Sequence, residues 1–136
     1  MIKVIGEKTK TVNYNPKWQI VTVNRKINSR FFSIVNNGGL ANPISGSFIT
    51  DDIDKSNTFQ LVPQFVNSGT ATPTKFTVMN ENSGISNEAL ISYTYEQSFN
   101  YYNWEGAVRV PAVLQYANEL AKFASENIGG NIEDDK

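Results

Sequence analysis

The residue types that most enzymes use for catalysis are scarce in this sequence of 136 residues. Histidine and cysteine are both absent, which removes the usual general base, the usual nucleophilic thiol and the commonest ligands of transition metals. Any chemistry would depend on carboxylates, hydroxyls and lysine. Glu96 and Glu105 could form a carboxylate pair of the kind that hydrolyses glycosides, but exposed strand ends commonly carry such residues. We therefore expect neither an enzyme nor a bound cofactor.

A partial calcium-loop pattern occurs once in the sequence. Asp52, Asp54 and Ser56 have the spacing with which such a loop begins. However, Asn57 stands where the loop needs glycine, and Pro63 stands where it needs a bidentate glutamate. A solvated turn is the better interpretation, and no metal site is predicted.

Neutral polar side chains, with a few basic and aromatic ones, suggest a different kind of chemistry. Single-stranded RNA is bound by aromatic rings that stack on its bases, and by polar and basic side chains that contact base edges and phosphates. A surface of this kind is predicted from Gln60, Gln64, Lys75, Thr77, Tyr101, Asn103 and Arg109. A solvent-facing sheet, with Tyr and Thr present as strand formers, would explain the same residues.

Charge is unevenly distributed along the chain, although the net charge is only −1. The first thirty residues contain seven lysines and arginines and a single acidic residue, Glu7, which gives this segment a charge of +6. Such a segment could face a polyanion. A solvated basic hairpin is an equally simple interpretation.

The elements that must position these residues are predicted to be short antiparallel strands. Runs of β-branched and aromatic residues, separated by turn-like sequences, are typical of an antiparallel meander. The first two runs would form a hairpin, followed by a turn at 36–39. The predicted strands are Trp18–Asn24, Arg30–Val35, Ser47–Thr50, Thr58–Val66, Lys75–Asn80, Ala89–Gln97, and a last one made of Phe99–Trp104 and Ala107–Val110.

An amphipathic helix is predicted over Pro111–Ile128. Proline suits the first helical turn, and Gly129 and Gly130 suit a helix end. One helix covers only about two or three strands, so we expect its apolar stripe to pack against a second subunit. The residues expected at this dimer interface are Val113, Tyr116, Leu120 and Phe123.

The predicted fold class is α+β, with an antiparallel meander sheet, an N-terminal hairpin, and a C-terminal helix that packs on a partner subunit's sheet. The length and the 40% hydrophobic content predict one folded domain over residues 1–136. Its parts would be N-terminal strands at 1–46, the main sheet at 47–110, the helix at 111–128 and a tail at 129–136. No apolar run approaches the ~18 residues of a membrane-spanning helix, so no membrane partner is expected.

The order of these segments resembles that of the coat proteins of single-stranded RNA bacteriophages. In that family an aromatic-bearing strand, a polar loop, two strands joined by a polar turn, a Tyr-Asn-bearing strand that ends in proline, and a C-terminal helix follow one another. The matching segments are Phe48–Thr50, Phe59–Val66, Asn67–Thr74, Lys75–Val78 and Tyr102–Pro111. The likeness covers somewhat over half of the chain.

This resemblance implies a structural capsid protein. The chain would form a homodimer, the dimers would assemble into an icosahedral shell, and the inner sheet face would bind genomic RNA and could repress translation through an RNA hairpin. The protein would then reside in the virion after assembly in the cytoplasm of a host bacterium. The alternative is a small single-stranded nucleic-acid-binding protein with no shell-forming role.

Overall fold

The computed structural model describes residues 16–50 and 57–128. Within these ranges the chain forms six strands and two helices. The strands are β1 (Gln19–Asn24), β2 (Ser33–Ile34), β3 (Leu40–Ala41), β4 (Ser47–Thr50), β5 (Thr58–Val62) and β6 (Thr74–Glu81), and the helices are α1 (Asn87–Gln97) and α2 (Ala112–Asn127).

The main sheet contains four antiparallel strands in the order β1-β6-β5-β4. The longest strand, β6, lies inside the sheet between β1 and β5. Strands β2 and β3 form a separate two-residue ladder around a turn, where Gly38 has a φ of +77° that favours glycine. The predicted hairpin between the first two strand runs is therefore wrong, because β1 pairs with β6 and β2 pairs with β3.

Alternation along β5 and β6 places one face of the sheet in the core. The rings of Phe59 and Phe76 stack with their centroids 4.9 Å apart. Leu61 extends this cluster along β5, and Leu90 and Ile91 of α1 cover it. The helix therefore packs on the apolar face of the sheet and leaves the opposite, more polar face without a helix in the described residues.

The sequence predicts a strand at Ala89–Gln97, but this segment lies in α1. Its Ile, Tyr and Thr residues favour strands locally. Ser86, however, caps the helix by accepting a hydrogen bond from the backbone N–H of Ala89 at 3.2 Å. The helix buries the side chains of Leu90, Ile91 and Thr94. Their burial against the sheet outweighs the local preference of this segment for a strand.

The last predicted strand, over 99–110, is also wrong. The segment forms no strand. The N–H of Trp104 donates to the carbonyl of Tyr101 at 3.2 Å within a turn, and the N–H of Val108 donates to the carbonyl of Ser98 at 2.8 Å across the loop. Asn100, Asn103 and Gly106 are typical turn residues and interrupt the aromatic run.

Other predicted elements are confirmed. The strand at Ser47–Thr50 agrees residue for residue, and the strands at 58–66 and 75–80 are found as β5 and β6 with shifted ends. The C-terminal helix is confirmed within one residue at each end. On this helix Leu120 is 67% exposed and Phe123 is 61% exposed.

We expect Phe76→Ala to lower the free energy of unfolding by about 3–5 kcal/mol, because it removes a buried ring and leaves a cavity. Urea denaturation followed by circular dichroism measures this change. Met79→Ala is the matched control on the same strand, since Met79 is 63% exposed and its loss should change stability by less than about 0.5 kcal/mol. Equal effects of the two substitutions would contradict the assigned core.

Candidate nucleic-acid interface

Several connecting segments meet at one end of the main sheet. Because the strands are antiparallel, β1 and β5 end beside the start of β6. Asn24 of β1 and Gln60 of β5 both lie opposite Lys75 of β6, and the segments 25–32 and 63–73 leave the sheet there. We call this region the basic end and define it by five cationic residues: Arg25, Lys26, Arg30, Lys75 and Arg109.

Arg109 joins this region through two contacts that are distant in sequence. The hydroxyl of Thr74, which is fully buried, donates a hydrogen bond to the backbone carbonyl of Arg109 at 2.9 Å. The Nη2 atom of Arg109 lies 3.5 Å from the backbone carbonyl of Arg25, to which it donates. These contacts hold the 99–110 loop against the ends of β1 and β6.

Local hydrogen bonds also shape the segment that follows β1. The side chain of Asn24 accepts a hydrogen bond from the backbone N–H of Lys26 at 3.0 Å, which forms an Asx turn. The Nη1 atom of Arg30 donates to the carbonyls of Ile27 and Ser29 at 2.8 and 2.6 Å. The chain thus turns tightly while the side chains of Lys26 and Arg30 remain solvent-exposed.

No acidic residue in the described part of the chain neutralises the cations of the basic end. Within residues 16–50 and 57–128, none of the five forms an ion pair with a carboxylate. The connecting segments 25–32, 63–73 and 99–110 carry a single acidic residue, Glu105. Clustered and uncompensated cations produce a positive potential that attracts polyanions.

The polar face of the sheet continues from this end. The predicted residues Gln60, Lys75 and Thr77 are indeed neighbours on this face. The hydroxyl of Thr58 donates to that of Thr77 at 3.5 Å, and Gln60 Oε1 is buried without a hydrogen-bond partner. A buried acceptor without a partner is costly, so Gln60 is a weak point of this face for stability.

Gln64 lies in the bend after β5, on the 63–73 loop. This loop is held by Asn42, whose Nδ2 donates to the carbonyls of Gly69 and Val66 at 2.8 and 3.3 Å. The Oδ1 atom of Asn42 accepts from the N–H of Ala71 at 2.9 Å. Sequence reasoning missed Asn42, because nothing local indicates that it reaches a loop more than twenty residues away.

Tyr101 and Asn103 lie in the 99–110 loop and not on a strand of the sheet. The ring of Tyr101 is tilted against that of Tyr116 on α2, with centroids 5.1 Å apart. The backbone N–H of Tyr102 donates to the hydroxyl of Tyr116 at 2.9 Å. Asn103 is exposed. Tyr101 and Asn103 therefore share a loop with Arg109. They do not lie on the sheet face that carries Thr77.

The residues predicted at a dimer interface are on the exposed side of α2. Tyr116 instead contacts the 99–110 loop of its own chain. Val113 borders an apolar cleft of about 510 Å³ between β1, α1 and the start of α2. Leu120 and Phe123 face solvent.

The described part of the chain contains neither a cluster of metal-ligating side chains nor a membrane-spanning helix. Residues 16–50 and 57–128 contain no group of three or more His, Asp or Glu side chains able to hold a metal ion. In the same residues, neither helix has the length and apolarity that crossing a bilayer requires. The Asp52 and Asp54 pattern lies outside the described residues.

Comparison with known proteins decides the family. The family model of the Piwi domain matches residues 2–129. Piwi-like protein 1 of Danio rerio is 38% identical over 129 residues, which cover 93% of this chain and 14% of the relative. Protein piwi of Drosophila melanogaster is 38% identical over 134 residues, which cover 93% of this chain and 15% of the relative. The chain belongs to the Piwi domain family.

Solved structures agree with this assignment. The crystal structure of Drosophila Piwi superposes with a TM-score of 0.74 at 38% identity, over 90% of this chain and 18% of that chain. The C-terminal lobe of a budding yeast Argonaute gives a TM-score of 0.77 at 17% identity, over 91% of this chain and 28% of that chain, which shows a shared fold. This Piwi chain thus spans a small part of the length of its relatives.

The family corrects the expectations taken from the phage coat resemblance. The fold is that of the Piwi and Argonaute C-terminal lobe, which is RNase H-like, and not that of a phage coat protein. The homodimer, the icosahedral shell and the place in a virion are wrong, since the Piwi match supports none of them. The resemblance was misleading because short strands followed by a helix occur in many unrelated folds.

The expectation that the chain is not an enzyme is also overturned. It depended on the absence of histidine and cysteine. The Piwi domain has an RNase H-like nuclease fold in Argonaute proteins, so the composition of this chain does not exclude a role in an enzyme.

We expect Thr74→Val to loosen the 99–110 loop of this Piwi chain, because it removes the hydrogen bond to the Arg109 carbonyl. The free energy of unfolding should fall by about 1 kcal/mol, and the N–H groups of residues 107–110 should exchange faster in hydrogen-exchange mass spectrometry. Thr77→Val is the control on the same strand, since Thr77 is only partly buried. Unchanged exchange at 107–110 would show that Thr74 does not hold the loop.

Proposed function

We propose that this chain takes part in guide-directed nucleic-acid binding, and that its basic end binds the phosphate backbone of a single-stranded guide. The observation that carries the proposal is the convergence of five cations, without ion-pair partners in the described residues, from two connecting segments, 25–32 and 99–110, and the start of β6. Two similar structures fit this role. Clostridium butyricum Argonaute was solved with a guide DNA and a target DNA, and Kluyveromyces polysporus Argonaute with a guide RNA.

The chemistry of the basic end suits phosphate better than bases. Arginine presents a planar fork of N–H donors that matches phosphate oxygens, and lysine adds a point charge. Contacts of this kind fix the position of a strand without reading its sequence. A protein that accepts guides of many sequences needs such contacts.

The neutral residues predicted from the sequence have a supporting part in this proposal. Gln64 lies in the 63–73 loop, which leaves the sheet at the basic end, and Asn103 lies in the 99–110 loop, which carries Arg109. Each offers an amide that can donate to a phosphate oxygen. Tyr101 adds a hydroxyl and a ring on which a base can stack.

Gln60 and Thr77 lie further along the polar face of the sheet, beside Lys75. In this proposal the strand crosses the basic end and continues towards this face.

We expect the double variant Arg25→Gln and Arg109→Gln to bind single-stranded RNA about tenfold more weakly, which corresponds to about 1.4 kcal/mol. The probe is a fluorescein-labelled 20-nucleotide RNA of mixed sequence, and fluorescence anisotropy measures binding between 50 and 300 mM salt. The slope of log affinity against log salt should become smaller by about 0.7 for each phosphate that the variant no longer neutralises.

Lys122→Gln is the matched control, because it removes an exposed cation of α2 that is not part of the basic end. Its affinity and salt slope should equal those of the unmodified protein. If the control weakens binding as much as the double variant does, the interaction depends on overall charge and the proposed site is wrong.

A further inference from the structure

Strand β4 forms one edge of the main sheet, and in the described residues no strand pairs with its outer side. Sheet edges in native proteins are usually protected by lysine, proline or other charged residues. The sequence of β4 is Ser-Phe-Ile-Thr, and the whole segment 31–50 contains no charged residue. Phe48 and Ile49 are 42% and 44% exposed. This edge therefore presents backbone hydrogen-bonding groups together with apolar side chains.

A cavity of about 290 Å³ lies between this edge and α1. Among its described lining residues, Glu88 in the first turn of α1 is the one that carries a carboxylate, and Ser92 lies one turn further along the same helix. Glu88 forms no ion pair within residues 16–50 and 57–128. The described lining residues are Gly46, Phe48, Glu88, Ile91, Ser92 and Tyr95.

The wall of this cavity is held in place by Tyr95. Its hydroxyl lies 3.0 Å from that of Ser45, and its ring meets that of Phe99 edge-on, with centroids 5.1 Å apart. Gly46 has a φ of +87°, and a Cβ atom there would lie 3.1 Å from the Tyr95 ring. The close approach of backbone and ring thus requires glycine and gives the cavity a fixed shape.

We propose that β4 binds an extended peptide as an additional strand, and that the cavity binds one arginine or lysine side chain of that peptide. In strand addition the main-chain hydrogen bonds supply affinity, and pockets for alternate side chains supply specificity. Phe48 belongs to the face of the sheet that α1 covers, since it pairs with the core residue Leu61. A side chain of the added strand on that face would lie beside Phe48, at the mouth of the cavity.

The residues that line the cavity favour a positively charged peptide side chain. Glu88 provides a negative charge for an ion pair, and Phe48 and Tyr95 provide aromatic rings, against which a cation is favourable. The larger cleft beside β1, at the opposite edge, contains no acidic or basic side chain among its described lining residues. Of the two sheet edges, the β4 edge is therefore the one that combines an open strand with a means of selecting a cationic residue.

The test uses nuclear magnetic resonance titration of the full chain with a nine-residue, threonine-rich peptide that has one central arginine. We expect shifts confined to residues 46–50 and 88–95, and slower amide exchange within β4. A matched peptide with glutamate in place of arginine should bind about tenfold more weakly. Glu88→Gln should weaken the arginine peptide about fourfold, as for an exposed ion pair.

Two controls separate peptide binding from protein folding and from nucleic-acid binding. One modifies the peptide and the other modifies the protein. Two peptides would be made, one methylated on its odd-numbered backbone amides and one on its even-numbered ones. Only one of the two should lose binding, because in a strand every second amide points towards β4. The Arg25→Gln and Arg109→Gln variant should bind the arginine peptide as the unmodified protein does. Equal affinity for the arginine and glutamate peptides, or no effect of Glu88→Gln, would overturn the proposal. Protection of the β4 amides by self-association, in the absence of peptide, would identify a second copy as the occupant and would also overturn it.

Discussion

The position of β6 between β1 and β5 is the constraint on which the rest of this structure depends. Pairing on both sides fixes the register of three strands together. It stacks Phe76 on Phe59 beneath α1, and it places Lys75 between Asn24 and Gln60. The same register thus forms the core on one face and gathers the cations at one end.

The core and the candidate site are linked through Thr74. Its side chain is fully buried at the start of β6, yet its hydroxyl holds the carbonyl of Arg109. A loop with little regular structure is thereby fixed to the buried start of β6. Cations that are held in this way need not be ordered when a phosphate binds, which reduces the entropic cost of binding.

Local patterns in the sequence correctly predicted those structural features that are set by residues close together in the chain. The period of α2, the strand at Ser47–Thr50, and the shared face of Gln60, Lys75 and Thr77 follow from side-chain alternation or helical spacing. The helical state of Ala89–Gln97 did not follow, because its β-branched and aromatic residues favour a strand and burial against the sheet decides otherwise. The pairing of β1 with β6 joins segments about fifty residues apart, so no local pattern reveals it. For this reason Arg25 and Lys26 were recognised as part of a basic segment, but not as neighbours of Lys75 and Arg109.

Photo-crosslinking tests the central claim most directly, because it locates a bound strand without altering the protein. A single-stranded RNA that carries 4-thiouridine at successive positions would be irradiated in complex with the protein, and the crosslinked peptides identified by mass spectrometry. We expect crosslinks within residues 24–30, 63–75 and 99–110, where the connecting segments meet at the basic end. Crosslinks confined to the exposed side of α2, or to the apolar cleft beside β1, would contradict it.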